Sequence, residues 1–322
     1  MLIPRQLLAI ALAAASVLSA CAQEAEPEDP AGQAGGELIV QVASYETLVD
    51  REERLLLGLL MPDQRFVSSG SVDVEFFYLG TEEGRGEAQP GPQTTADFLA
   101  IPGTDEHHAG TKEGPIAAPA SQGRGVYATE VEFDRVGFWS AQVTADVAEE
   151  GKLTGNSVFE VVKNGDIPAV GDPALKTDNL TAASKDAPIA AVDSRASERE
   201  PIPDMALHQM TIAESVERGE PALVVFATPV YCVSRFCGPI TDMVEDLEKR
   251  YGDRANFIHV EIWRNFSEQV INKGAADWLY HGSDLTEPWV FFIDAKGRIA
   301  ARWDNVATAP EIEPYLKDLP RL

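Results

Sequence analysis

Cysteine is scarce in this chain, with three residues in 322. That excludes the small disulfide-dense scaffolds, which depend on many bridges. No cysteine falls between residues 37 and 163, so a core built there rests on packing alone. Basic side chains are scarce too. Lys and Arg total 26 against 52 Asp and Glu, a net charge of −26. So acidic a chain repels a phosphate backbone, which excludes nucleic acid as a partner. A solvated acidic surface, such as a saline habitat favours, explains the excess more simply than a dedicated basic ligand does. Long apolar runs are also missing near the start of the chain. The run from Leu7 to Leu18 is shorter than the ~20 residues a membrane-spanning helix needs.

That run follows the single positive side chain of Arg5 and has the form of a secretory signal covering residues 1–20. The signal ends in Leu18-Ser19-Ala20-Cys21. This ending resembles the bacterial lipobox. The resemblance implies that Cys21 is lipidated, becomes the first mature residue, and anchors the protein to the cell membrane on its extracytoplasmic face, in the periplasm or at the cell surface. The alternative is an ordinary signal cleaved near Ala20 or Ala22. Residues 21–36 are acidic and rich in Ala, Pro and Gly, and read as a flexible tether. With Cys21 set aside, two cysteines remain in an oxidising compartment.

Residues 37–163 carry period-two patterning. Leu38, Val40 and Val42 alternate, as do Leu55, Leu57 and Leu59, then Val72, Val74, Phe76 and Tyr78. Tyr127 to Phe133 and Trp139 to Val143 continue the pattern across an Asp134-Arg135-Val136-Gly137 turn, and Val158 to Val161 closes it. Such runs, bounded by Gly, Pro and Asp, predict an all-β sandwich with Trp139 in its core. GVYATEVEFDRVGFWSAQV is similar to strands of immunoglobulin-like accessory domains in bacterial exported proteins. Gly80 to Gly125, rich in Gly and Pro and holding His107 and His108, reads as a long loop. Residues 164–205, rich in Ala, Pro and Asp, read as a linker that drapes over a domain or hangs free.

The period changes in residues 206–322. Thr211 and Glu214 fit a capping box for a helix ending at Gly219. Leu223 to Ala227 is a strand apolar on both faces. Cys232 and Cys237 follow, then Gly238 and Pro239, and Ile240, Val244, Leu247 and Tyr251 mark one face of a helix. Phe257 to Trp263 is a strand, Asn265 caps a helix running to about Tyr280, and Trp289 to Ile293 turns through Asp294 to Gly297 into Arg298 to Trp303. A last helix falls within 309–319. If residues 232–237 were helical, the two cysteine Cα atoms would be roughly 8 Å apart, too far for a disulfide. A loop from Cys232 to Phe236 and a helix starting near Gly238 or Pro239 are therefore expected.

Phe236-Cys237-Gly238-Pro239, after a buried strand and before a helix, resembles the active-site corner of the thioredoxin-like superfamily. The match departs in one place: Ile240 stands where that family's second cysteine lies, and the pair here is Cys232-x4-Cys237. The resemblance covers about Met205 to Leu319. It implies an α/β thioredoxin-like fold and a cis-proline at Pro288, beside the thiols. It also implies a thiol–disulfide oxidoreductase without cofactor, acting on thiols or disulfides of exported proteins. Cys237 is expected as nucleophile and Cys232 as resolving thiol, with the reverse open. Arg235 is a candidate for lowering a thiol pKa. Two further readings stay open. Copper-delivery proteins of the Sco type are similar, and imply copper held by Cys232, Cys237 and His281. Alternatively the pair is a structural disulfide in a catalytically inert interaction protein.

Mass spectrometry of mature protein from its native host should find diacylglycerol on Cys21. A free N-terminus at Ala22 or beyond would exclude the anchor.

Overall fold

Alternating apolar and polar residues build the first half of the protein, seen in a computed structural model that describes residues 36–82, 86–104, 114–119, 124–281 and 284–322. Cys21, His107 and His108 lie outside the described residues. The first sheet contains β1 (Gly36–Glu37), β2 (Ile39–Val42), β3 (Glu52–Leu60), β4 (Phe66–Ser68) and β5 (Ser71–Gly80). It continues with β6 (Gln89–Ala100), β7 (Ile116–Ala118), β8 (Gly125–Glu132), β9 (Gly137–Val147) and β10 (Gly151–Val161). The order is β1-β10-β9-β5-β6-β8-β3-β4-β7, with β2 on β3. β1 pairs in parallel with β10, and the chain then crosses so that β2 pairs antiparallel with β3. The segment thereby bridges β10 and β3. Gly155 permits the crossing, because a Cβ there would lie 2.1 Å from the Leu38 carbonyl oxygen.

Inward residues of these strands make one core, including Leu55, Leu57, Val74, Phe76, Tyr127 and Trp139. Phe133 meets Trp139 and Phe76 edge-on at 4.9 and 5.2 Å between ring centroids. The buried indole of Trp139 donates to the Arg135 carbonyl at 3.1 Å, so its polar atom is satisfied. The expected loop from Gly80 to Gly125 is corrected here. β6 and β7 lie inside it, and β6 pairs with both β5 and β8. Its sequence, QPGPQTTADFLA, has two prolines and buries only Ala96 fully. The hydrophobic alternation is therefore too faint to read, although the strand is held on both sides.

In the second half the elements are α1 (Ile212–Arg218), β11 (Ala222–Ala227), α2 (Cys237–Tyr251) and β12 (Asn256–Glu261). A ribbon of β13 (Trp263–Asn265) and β14 (Val270–Ile271) precedes α3 (Lys273–Leu279). A second ribbon joins β15 (Tyr280–His281) to β16 (Asp284–Leu285). The chain ends with β17 (Trp289–Ile293), β18 (Ile299–Asp304) and α4 (Ala309–Leu316). The sheet order is β12-β11-β17-β18, with β11 parallel to β12 and antiparallel to β17. All six residues of β11 are buried, because helices cover both sheet faces. Leu223 and Val225 pack with Ile240, Val244 and Leu247 of α2 and Ile312 of α4. Val224 and Phe226 pack with Ile212 of α1 and Trp278 of α3. The α1 capping box joins Thr211 and Glu214.

The helix expected from Asn265 to Tyr280 is shorter. Asn265 instead ends β13, where its side chain accepts from Ser267 Oγ at 2.8 Å, and the turn that follows holds Gln269 at φ 56. Only Lys273–Leu279 is helical. Residues 164–205 lie against the second sheet. Ile167 and Ala174 are buried in its core, Thr177 Oγ1 accepts from the Trp278 indole at 2.9 Å, and Asn179 Oδ1 accepts from the Ile212 backbone N–H at 2.8 Å. Among the described residues no helix is long and apolar enough to cross a membrane.

Gly35 to Leu322 clusters as one compact unit, and its two sheets meet through guanidinium groups. Arg54 of β3 binds Glu311 of α4 at 2.7 Å and donates to the Val306 carbonyl at 2.7 Å. Arg302 of β18 donates to Glu46 at 2.5 Å. Removing one partner of such a shielded pair strands the other. Arg54→Ala should therefore cost about 3 kcal/mol of stability, read from denaturant unfolding. A loss below about 0.5 kcal/mol, the scale of an ordinary surface change, would show that the seam carries little.

Candidate redox site

β11 leaves the sheet at Thr228-Pro229. The Cys232 N–H donates to the Thr228 carbonyl at 3.1 Å, which folds the chain back before it can enter a helix. Cys232 to Phe236 is irregular, with Arg235 at φ 63. The helix α2 then begins at Cys237, slightly earlier than expected, and Gly238 and Pro239 fall in its first turn. Proline costs no hydrogen bond there, since the first N–H groups of a helix have no helical acceptor. The Cys237 N–H is one of them. It points at Cys232 Sγ, 3.4 Å away, and Ser234 Oγ lies 3.2 Å from the same sulfur.

Both thiols are free. The Glu287 carboxylate joins them: one of its oxygens and both sulfur atoms lie within 4.8 Å of one another. The Glu287–Pro288 bond is cis. Glu287 Oε2 is shielded from solvent and has no hydrogen-bond partner.

The surroundings push these three acids apart. Cys232 is held down to about 5, first by the Cys237 thiol donating to it, then by the Ser234 hydroxyl and the N–H groups of Cys237 and Phe236, against burial. Burial pushes the Cys237 thiol far up, and donation to Cys232 adds to this. Burial and then the charge on Cys232 push Glu287 up to about 8. A thiolate at Cys232, a thiol at Cys237 and a protonated Glu287 therefore coexist near neutral pH.

The first sheet supplies one wall. Tyr45, beyond β2, donates its hydroxyl to the Glu287 carbonyl, and its ring lies 5.8 Å from that of Trp289. Phe236 packs with Leu56, Ile101 and Val126. A cleft of about 330 Å³ opens beside it, lined by Phe66, Ile101, Ser234, Arg235 and Pro239 among others. On the solvent side Val233 is 95% exposed, and Tyr231 stacks on Phe266 at 4.1 Å.

Cys232, Cys237, Gly238 and Pro239 thus share one corner, and the Glu287 carboxylate brings the Glu287–Pro288 segment to it. Arg235 is exposed at the rim of the cleft and is not among the main groups that lower Cys232. His281 belongs to β15, and its side chain is outside the described residues. His259 is fully buried and belongs to a different cluster. Sequence reasoning missed Glu287 and Tyr45. An acid directly before Pro288 was a visible signal for the first, whereas nothing in the sequence links Tyr45 to a site more than 180 residues away.

No family model matches the chain, and no curated protein matches it. Among solved structures, a Thermotoga maritima protein described as a putative superoxide reductase aligns over 40% of this chain and 87% of its own length, with 12% identity and a TM-score of 0.20. A likeness of that degree carries no argument about fold or function.

Alkylation of Cys232 by iodoacetamide should rise with pH around a midpoint near 5, since only the thiolate reacts. In Cys237→Ala the midpoint should move up, because the main donor to the Cys232 sulfur is gone. A midpoint at the ordinary thiol value in the wild-type protein, or faster labelling of Cys237, would refute this electrostatic order.

Proposed function

We propose that the protein is an extracytoplasmic thiol–disulfide oxidoreductase, anchored through Cys21, with a thioredoxin-like C-terminal domain and an immunoglobulin-like N-terminal β-sandwich. One observation carries the reading. A low-pKa sulfur, Cys232, sits against the first N–H of a helix with a second, buried thiol within 4.8 Å. An inert staple has no use for a sulfur held as an anion. The β11-α2-β12 unit, the β17-β18 hairpin and the terminal α4 support the fold assignment. Cys232 is the nucleophile and Cys237 the resolving thiol, the reverse of the order the sequence alone suggested.

In the direction that reduces a substrate, the Cys232 thiolate attacks a disulfide of an exported protein. A bond forms between Cys232 Sγ and one substrate sulfur, and the other substrate sulfur leaves with the proton from Glu287. The negative charge on Cys232 is then gone, and with it one of the causes that kept Glu287 protonated. The Glu287 carboxylate takes the proton of Cys237. The Cys237 sulfur attacks Cys232 Sγ, closes the intramolecular disulfide and releases the second substrate sulfur as thiolate. The protein dithiol is oxidised and one substrate disulfide is reduced. Run backwards, the same steps donate a disulfide.

Cys232→Ser should abolish insulin reduction, whereas Cys237→Ser should accumulate mixed disulfides through Cys232, seen by non-reducing electrophoresis and mass spectrometry. Glu287→Gln should slow the resolving step by about 10²-fold. Trapping in Cys232→Ser would keep the enzyme and exchange the two roles. No exchange activity in wild type would sink the reading.

A further inference from the structure

Behind the redox loop lies a second polar cluster that the proposed exchange does not use. Asp193, His208 and His259 come from three separate places: the strap before α1, the short 3-10 helix Met205–His208, and β12. All three side chains are fully buried. Asp193 Oδ2 lies 3.3 Å from His208 Nε2 and 3.4 Å from His259 Nδ1, and one ligand atom from each residue lies within 4.8 Å of the others. We propose that Asp193, His208 and His259 form a buried, tetrahedral binding site for a divalent transition metal of the zinc type.

The distances favour this coordination. Zinc bonds of 2.0–2.1 Å place neighbouring ligands of a tetrahedron about 3.3–3.4 Å apart. Six-coordinate sites with bonds of about 2.1 Å bring adjacent ligands to about 3.0 Å. The two edges at Asp193 fall on the tetrahedral value, and the shorter one is also within hydrogen-bond reach of His208 Nε2. Orientation agrees with them. His259 Nε2 lies 3.1 Å from the Ala227 carbonyl and donates its proton there, which leaves Nδ1 as the metal-facing nitrogen. A backbone carbonyl holding the far nitrogen is the usual support for a ligating imidazole. His259 Nδ1 has no aligned hydrogen-bond partner although Asp193 is close, as expected of a lone pair aimed at a point between ligands. Without a metal, His259 would need a second proton to serve Asp193. Nδ1 of His208 lacks a partner under either description and does not discriminate between them.

Charge agrees as well. Arg195 is the cation bound to Asp193, at 2.8 Å, and it is shared with Asp204 at 2.6 Å and Asp242 at 3.3 Å. Each carboxylate oxygen offers two lone-pair positions, so Asp193 Oδ2 can accept from Arg195 and still bind a metal. The site's neighbours give it a structural task. Ser194 accepts from the Val230 N–H at 3.2 Å and donates its own N–H to Glu261 at 2.8 Å. A metal fixing Asp193 therefore fixes the base of the loop that carries Cys232.

The test uses the full chain with C232S, C237S, H107A, H108A and H281A. The two cysteines at the redox corner are gone, and of the five histidines in the sequence only His208 and His259 remain. The chain is refolded with zinc chloride and passed over a desalting column with a weak chelator. One retained zinc per chain is expected, with an X-ray absorption spectrum showing two imidazoles and only nitrogen or oxygen ligands. His208→Gln in the same background should lower retention at least tenfold. No retained zinc, a shell without imidazole, or retention unchanged by His208→Gln would overturn the proposal and leave a hydrogen-bonded hub. If the multiple variant does not fold, wild type with Cys232 and Cys237 alkylated and cobalt(II) as probe decides. Weak tetrahedral d–d bands support the site, and their absence refutes it. None of these readouts depends on disulfide exchange, so either proposal can fail without the other.

Discussion

Two sulfur atoms within 4.8 Å in a shielded corner cannot both be anions. At an effective dielectric near 20, that repulsion alone is at least about 3.5 kcal/mol. The second ionisation is therefore held back until the first charge is spent, and the geometry decides which sulfur goes first. Cys232 faces the Cys237 N–H and the Ser234 hydroxyl, whereas Cys237 is sealed inside the helix–sheet core. The same rule extends to Glu287, the third acid in the corner. Its proton is retained while Cys232 is charged and is easier to lose once Cys232 is covalently engaged. In the proposed exchange, a single shared restriction on charge thus orders all three groups in time.

The first sheet is a wall of this corner as well as a neighbour. Tyr45 closes over the Glu287 carbonyl, and Phe236 leans into the apolar pocket of Leu56, Ile101 and Val126. Burial is the first cause of the raised pKa values of Cys237 and Glu287, so any surface that keeps water out of the corner sharpens the separation of the three acids. The seam at Arg54 and Arg302 holds that wall in position. The chemistry attributed to the second sheet therefore depends on packing supplied by residues more than 100 positions earlier in the chain.

The parts of the site that are local in sequence were legible. A short uninterrupted apolar run bounded by turn residues reads as a covered strand, and it appears as β11. The steps of three and four after Pro239 appear as α2. What depends on distant partners was not legible. β6 is a strand because β5 and β8 hold it on both sides, although its own alternation is faint. The role of Cys232 depends on a loop turning its sulfur back onto the helix start, and residue spacing does not specify such a turn. Residues 164–205 read as a linker because their composition is that of one. Their buried members include Ile167, Ala174, Thr177, Asn179 and the short run from Ala191 to Ser194, a spacing that follows neither the strand nor the helix period.

Composition explains how the joints are made. In a chain with two acids for every base, carboxylates outnumber the cations that can answer them, and among the described residues three partly shielded junctions use arginine. Arg54 serves Asp304 and Glu311, Arg302 serves Glu46 and Glu53, and Arg195 serves Asp193, Asp204 and Asp242. A planar fork of five donors answers several carboxylates at once and loses less hydration than an ammonium. Lysine appears where water remains, in the exposed pairs with Glu245 and Asp277. Mobile ions screen repulsion among the exposed carboxylates but reach shielded pairs far less. Salt therefore relieves the acidic surface while leaving the arginine junctions intact, so the charge excess burdens the fold most in dilute solution.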